Sequence, residues 1–208
     1  SMARMSKEAR RAQIVAGMMR AMATHGYERA TIQRIAAEID ITPGLIHYHF
    51  ETKQAILLAT LDEISDRMRA RYERALDRTS AGDVVSEAEA TLGPKLIAWI
   101  DAHVSLDLGD GADAEAIAAW VAISCEATLS EEVREPFNQA IERDMAALVE
   151  ALLESRASPK QPRQIALSLM AMLQGIYLLS RTLDVPGEEG FAREQLERAA
   201  LGMLEVST

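Results

Sequence analysis

The apolar positions of residues 31–50 recur at helical spacing twice, with a short polar interruption between the two runs. Ile32, Ile35, Ala36 and Ile39 stand three and four apart, the stripe of a helix that buries one face. Thr31 precedes them as an N-cap whose hydroxyl can accept an orphan backbone N–H. Asp40 follows the stripe, where a short polar side chain tolerates positive φ. Thr42-Pro43 then supplies a fresh N-cap with proline at the first helical position. Two short helices joined by a tight turn are predicted. That is a helix-turn-helix, and it points to DNA.

Helical periods continue downstream. Leu57, Leu61, Ile64, Met68, Tyr72 and Leu76 predict a long helix from about Lys53 to Arg78. Residues 83–89 are polar and predict a loop and a helix start. Leu96, Trp99, Ile100 and His103 mark a helix ending before Gly109-Asp110-Gly111, and 115–129 forms a further apolar helix with Trp120. From 130 to 155 the stripe runs through Val133, Phe137, Ile141, Met145, Leu148 and Leu152, and Pro136 either kinks that helix or begins it.

Residues 165–183 are apolar almost all round, so both sides need cover, and one chain offers one core. A second copy would supply the other cover through about 163–183 and 188–206, where Ala199, Ala200 and Gly202 let backbones approach. A C2 homodimer is the simplest expectation. A membrane span competes for 165–183, but Ser168, Gln174, Gly175, Ser180 and Arg181 interrupt it, and no membrane partner is expected.

Composition narrows the class. Apolar residues make up 49% of the chain and aromatics only 4%, without strand-like alternation, so an all-α protein is expected. The predicted organisation is an N-terminal three-helix helix-turn-helix domain at 1–52 and a larger helical ligand-binding and dimerisation domain at 53–208. Cys125 is the single cysteine, which rules out an intrachain disulfide and makes the cytoplasm the default. Ser1 before Met2 reads as a cloning remnant, and no signal peptide is read before the first helix. The net charge of −10 is divided unevenly: residues 1–50 carry +3 and the remainder −13. A basic head on an acidic body would touch DNA at one end only. Ordinary surface variation would give the same split.

His25-Gly26-Tyr27, Thr31, Ile35-Ala36, Ile41-Thr42, Gly44, Tyr48-His49-Phe50, Lys53 and Ile56-Leu57 fall in a register that resembles the N-terminal domain of the tetracycline-repressor (TetR) family. The chain departs from the family pattern at Asp40, where glycine is usual, at Leu45, where threonine is frequent, and at His47, where an aromatic or small polar residue is common. The resemblance implies a ligand-responsive regulator, most simply a repressor released from a near-palindromic operator by a small-molecule effector. Thr42, Pro43 and Leu45 would lie at the groove end of the second helix, and Leu45 can pack on a thymine methyl. By resemblance, Tyr48 and Lys53 hold phosphates, and Thr31, Gln33, Arg34 and His47 make further backbone or base contacts. His49 is open between a DNA contact and a histidine packed under the turn.

Residues 118–127 and 173–178 resemble the body of the choline-responsive betaine regulators, the BetI-like branch of the family, as does the pair Leu45-Ile46. Ser124 replaces their second aromatic, so a quaternary-ammonium effector does not simply carry over. The effector candidates are Trp99, His103, Trp120, Ser124, Met145, Met170, Gln174 and Tyr177, amphipathic or apolar groups on inner helices. Plain core packing is the competing role for each.

An enzyme has little support. His25, His47, His49, His103 and Cys125 lack zinc spacing, and there is no di-iron Glu-x-x-His pair or phosphate loop, so no cofactor and no metal is expected. Asp107, Asp110, Asp113 and Glu115 imitate a calcium loop, but Ala112 stands where its glycine is required. The remaining alternative is a helical small-molecule-binding or protein-interaction module without DNA binding.

Overall fold

The computed structural model describes residues 5–80, 86–104, 111–157, 159–183 and 190–206. Among them are α1 (Lys7–Arg29), α2 (Ile32–Glu38), α3 (Pro43–His49), α4 (Lys53–Ser80), α5 (Glu87–Leu92), α6 (Pro94–Val104), α7 (Gly111–Ala127), α8 (Glu131–Leu153), α9 (Pro162–Thr182) and α10 (Phe191–Val206), with no strand. The loop expected around Gly109 and Asp110, with Asp107, lies outside the described residues, as does the side chain of Asp113. The chain divides into two compact units, Ser1–Ser65 with Gly111–Asn138, and Asp66–Asp110 with Gln139–Thr208.

In the first unit α1 packs against α2, α3 and α7. Ile14, Met18, Met19 and Met22 of α1 are buried, as are Ile35 and Ala36 of α2, Ile46 of α3 and Ile123 of α7. Each such Ile or Met side chain contributes about 1.5–3 kcal/mol on burial. Seven-residue helices such as α2 and α3 are too short to persist on their own hydrogen bonds. Packing against α1 therefore decides their existence. Gly17 marks a close approach of α1 to α2 and its C-cap: a Cβ there would stand 2.9 Å from Ile39 Cγ2 and 3.2 Å from the Ile35 carbonyl oxygen. Gly26, at φ 75°, breaks α1 near its end in a conformation that favours glycine.

α8 begins at Glu131 and continues through Pro136 to Leu153, so the proline does not start the helix. Proline has no N–H to give the carbonyl four residues back, which is that of Glu132. The side-chain amide of Gln54 on α4 donates to that oxygen at 3.4 Å.

In the second unit α10 packs on α5, α6 and α9. α6 is buried along most of its length, from Leu96 to Ile100 and again at Ala102 and His103. α5 opens with a reciprocal capping box between Ser86 and Glu89. Arg193 of α10 reaches Asp101 of α6 at 2.7 Å and Glu89 of α5 at 3.0 Å. Lys95 of α6 pairs with Glu150 of α8 and with Glu154 just beyond its end, at 2.5 and 2.8 Å. α9 is long and apolar enough, by length and composition, to cross a membrane. Ile165, Leu169, Met170, Leu173 and Tyr177 are buried, whereas Leu167, Leu178 and Leu179 on its other side are exposed.

Candidate nucleic-acid interface and effector region

The helix-turn-helix follows from local chemistry. Thr31 caps α2 by accepting the Arg34 N–H at 3.3 Å, and Thr42 caps α3 by accepting the Leu45 N–H at 3.4 Å. Between them Asp40 takes φ 52°, the left-handed value its short side chain tolerates, and the Ile41 N–H closes on the Ala36 carbonyl at 3.1 Å. Ile46 and Phe50 are buried anchors. The opposite side of α3 is consequently turned out: Thr42, Pro43, Gly44, His47 and Tyr48 are exposed, and Tyr48 reaches 78% exposure. Thr31, Gln33 and Arg34 of α2 are exposed as well, while Leu45 is partly buried. Arg34 also braces the entry to α2, donating to the Arg29 carbonyl at 3.0 Å.

Two candidates face inward. His49 lies edge-on to Tyr48, with ring centroids 5.1 Å apart, and its Nδ1 is buried with no hydrogen-bond partner. Its carbonyl accepts from the Arg11 guanidinium, which lies 3.9 Å over the Phe50 ring. Lys53, at the start of α4, donates to the Tyr27 carbonyl and, at 3.1 Å, to the Glu28 carbonyl, and its ammonium sits 4.1 Å over the Tyr27 ring. Burial pulls the Lys53 pKa below its ordinary value, against the opposing pull of Glu126 and Glu28. Burial, then Glu126 and Glu132, push the Tyr27 hydroxyl above its own.

The effector candidates fall in different units. Trp120 lies 4.9 Å from Phe137 by ring centroids, and Ser124 donates to the Val121 carbonyl at 2.8 Å, both in the first unit. Trp99, His103, Met145, Met170, Gln174 and Tyr177 belong to the second. There, a polar network occupies an apolar interior. The Trp99 indole N–H donates to Asp144 Oδ1 at 2.9 Å, and His103 Nε2 meets Asp144 Oδ2 at 3.0 Å. His103 Nδ1 meets the Trp99 carbonyl oxygen at 2.8 Å, and the Tyr177 hydroxyl donates to the His103 carbonyl at 3.0 Å.

A carbonyl and an ionised carboxylate can only accept, so the ring between them carries both protons and is imidazolium. Burial alone would lower the His103 pKa; the Asp144 charge and hydrogen bond outweigh it and hold the pKa above its ordinary value. Burial would likewise raise the Asp144 pKa, and His103 and the Trp99 N–H hold it below. Tyr177 is pushed up by burial and by Asp144, with Arg71 pulling the other way. Asp144 is the functional-looking residue that the sequence reading missed. Its signal was present: it stands three after Ile141 and four before Leu148, a carboxylate on the apolar stripe of α8. Among the described residues, no group of three or more His, Cys, Asp or Glu side chains is placed to hold a metal ion.

The sequence profile of the bacterial tetR-family regulatory proteins matches residues 14–60, and that of the BetI-type transcriptional repressor C-terminal domain matches residues 97–205. The chain belongs to the TetR family. The BetI transcriptional regulator of Agrobacterium fabrum is 29% identical to it over 177 residues, 85% of this chain and 79% of that one. The transcriptional repressor Rv1474c of Mycobacterium tuberculosis is 39% identical over 66 residues, 32% of this chain and 35% of that one. A solved transcriptional regulator of Pseudomonas aeruginosa superposes with a TM-score of 0.76 at 22% identity, covering 98% of this chain and 94% of its own. Another, from Saccharomonospora viridis and solved in complex with choline, superposes with a TM-score of 0.65 at 20% identity, covering 95% and 96%. The TetR-family chain is thus a helix-turn-helix, DNA-binding transcriptional regulator, and the relatives it matches are named as regulators, not enzymes.

Proposed function

We propose that this TetR-family protein is a homodimeric cytoplasmic repressor that leaves a near-palindromic operator when a small molecule binds its second unit. The observation that carries the DNA half is the outward row on α3 and α2: Thr42, Pro43, His47 and Tyr48 beside Thr31, Gln33 and Arg34, on helices pinned from behind by Ile35, Ile46 and Phe50. Tyr48 serves as a phosphate contact. Lys53 adds positive charge once its remaining N–H turns to the duplex, and Leu45 offers an apolar edge to a thymine methyl. Two copies of this row, one helical turn apart at about 34 Å, would read two half-sites.

Self-association is supported by the exposed leucines of α9, Leu167, Leu178 and Leu179, with Leu183 beyond its end and Phe191 opening α10. A second copy covering them buries apolar surface that a lone subunit leaves in water. For the effector, Trp99, His103, Met145, Met170, Gln174 and Tyr177 form the candidate region, and choline is the first probe because of the BetI-type C-terminal match and the choline-bound Saccharomonospora regulator. A ligand that prefers one conformation of the second unit shifts the population, with a DNA–ligand coupling of about 1–3 kcal/mol. α4 and α8 each belong to both units, and α4, which follows directly on the helix-turn-helix, is the element through which heads are respaced.

Selection of bound duplexes from a random pool, repeated with choline and a metabolite panel, tests the reading. Enrichment of an inverted repeat, lost on adding one metabolite, is the expected result. A monomer in sedimentation, or no duplex retained at low ionic strength, leaves only a helical module without DNA binding.

A further inference from the structure

The described glycines differ in what their missing side chain does. Gly26, Gly93 and Gly190 take positive φ, where other residues are strained. Gly17 has Ile39 and Ile35 where a Cβ would stand. Gly44 has neither reason, and nor do Gly175 and Gly202, which lie on the two helices proposed to meet a second copy. Gly44 lies inside α3, without a left-handed backbone, and a Cβ built on it would meet nothing within 4 Å.

Glycine in a helix is less stable than alanine, because the unfolded chain loses more freedom on ordering. α3 is seven residues long and gains little from its own hydrogen bonds. No contact that a Cβ would make inside the subunit calls for glycine at this point, and the position is exposed. On a helix, positions i, i+3 and i+4 share a face. Gly44 therefore stands on the same exposed face as His47 and Tyr48. The vacancy left by its side chain lies beside the two largest groups that α3 turns to solvent.

We propose that Gly44 is a positioning residue for DNA: its lack of a side chain lets α3 seat against the duplex deeply enough for His47 and Tyr48 to reach their contacts. This rests on the reading of α3 as the DNA-reading helix. A helix with its side chains is about 10–12 Å across, close to the roughly 12 Å width of the major groove. Standing the helix off by one carbon–carbon bond, about 1.5 Å, exceeds the tolerance of hydrogen bonds, which weaken steeply as the distance grows beyond about 3.2 Å. Gly44 thus trades stability of the free protein for closeness to its partner.

The test compares wild type, Gly44→Ala and Gly44→Leu, both replacements being good helix formers, on duplexes that wild type selects from a random pool and on an unselected random duplex. Gly44→Ala should melt at the same or a higher temperature and keep the same sedimentation. It should bind the selected duplex about tenfold or more weakly, the scale of a lost specific contact. Gly44→Leu should lose more, and the unselected duplex, held by charge, should lose least. Undiminished affinity of Gly44→Ala for the selected duplex overturns the inference. So does a lower melting temperature of Gly44→Ala, which would give the glycine a role in the fold. If wild type selects no duplex, the DNA reading itself falls and takes this inference with it, an outcome distinct from a wild type that binds and a variant that binds equally well.

Discussion

The two compact units fasten their helices with different chemistry. In the first, cationic and amide side chains reach backbone carbonyls at helix ends: Arg11 to His49, Arg20 to Glu38 at 3.1 Å with the Glu38 carboxylate a looser 3.8 Å away, Gln13 to Ile39 at 3.3 Å, and Lys53 to Tyr27 and Glu28. In the second, the cross-links are between ionisable side chains: His103 with Asp144, Lys95 with Glu150 and Glu154, and Arg193 with Asp101 and Glu89. A carbonyl satisfies an arginine without cancelling its charge. A carboxylate satisfies and cancels it together. Carbonyl fastening lets the head be rigid and still present the +3 of residues 1–50 to an anionic partner. Ion pairing through His103 and Asp144 gives the second unit a pH dependence, near neutrality and in acid, that the head's arginine and amide bonds to carbonyls lack.

Removing one acceptor from each kind of fastening would sharpen the contrast most. Asp144→Ala leaves the Trp99 indole N–H and the His103 imidazolium buried without their partner. The expected loss is about 3 kcal/mol, at the low end for a broken buried pair, because the Asp144 side chain remains 28% exposed. Arg11→Ala removes a carbonyl bond and a ring contact, and should cost about 1–2 kcal/mol, since the His49 carbonyl it leaves ends a short helix near solvent. Urea denaturation of both variants checks the order. Equal losses would erase the distinction between the units.

The pH profile separates the units next. A histidine whose folded pKa is raised stabilises fully below its unfolded value, about 6.5, and that stability is lost as pH rises through the folded value. Asp144 acts in the opposite sense: its pKa is lowered, so its contribution is present above the ordinary carboxylate value and lost as pH falls through the folded one. The second unit should therefore weaken on the alkaline side of about pH 6.5 and again in strong acid. Arginine-to-carbonyl bonds do not titrate in this range. His103→Gln should flatten the alkaline decline; a wild-type unfolding free energy that stays level through it would mean that the ring is neutral in the folded protein.

What the residue pattern revealed divides along a physical line. Thr31, Asp40 and Thr42 were legible because caps and left-handed turns are settled by neighbours a few positions away. The long α4 was legible from its apolar stripe and α9 from its nearly continuous apolar run. Asp144 escaped because its meaning depends on Trp99 and His103, more than forty positions earlier. α7 looked like another body helix, yet it packs on α1, which places Trp120 and Ser124 in a different unit from the other effector candidates. Tertiary packing decides such partnerships, and spacing within one helix carries no record of them. Lys53 lies between these cases: its position at the head of α4 was legible, its fastening to Tyr27 was not.

Pro136 shows how the two levels join, and it supplies the finest test of the carbonyl chemistry. The sequence left open a kink or a start; in the structure α8 runs through the proline, and the orphaned Glu132 carbonyl takes the Gln54 amide instead. The distance of 3.4 Å marks a weak bond. Gln54→Ala should cost only about 0.5–1 kcal/mol. In a Pro136→Ala background the new backbone N–H satisfies Glu132 from within the helix, so the same Gln54→Ala change should then cost close to nothing. A double-mutant cycle by urea denaturation reads the difference directly. Were Gln54→Ala equally costly in both backgrounds, Gln54 would be acting through packing on α8, and carbonyl fastening in the first unit would be confined to the side chains of the head.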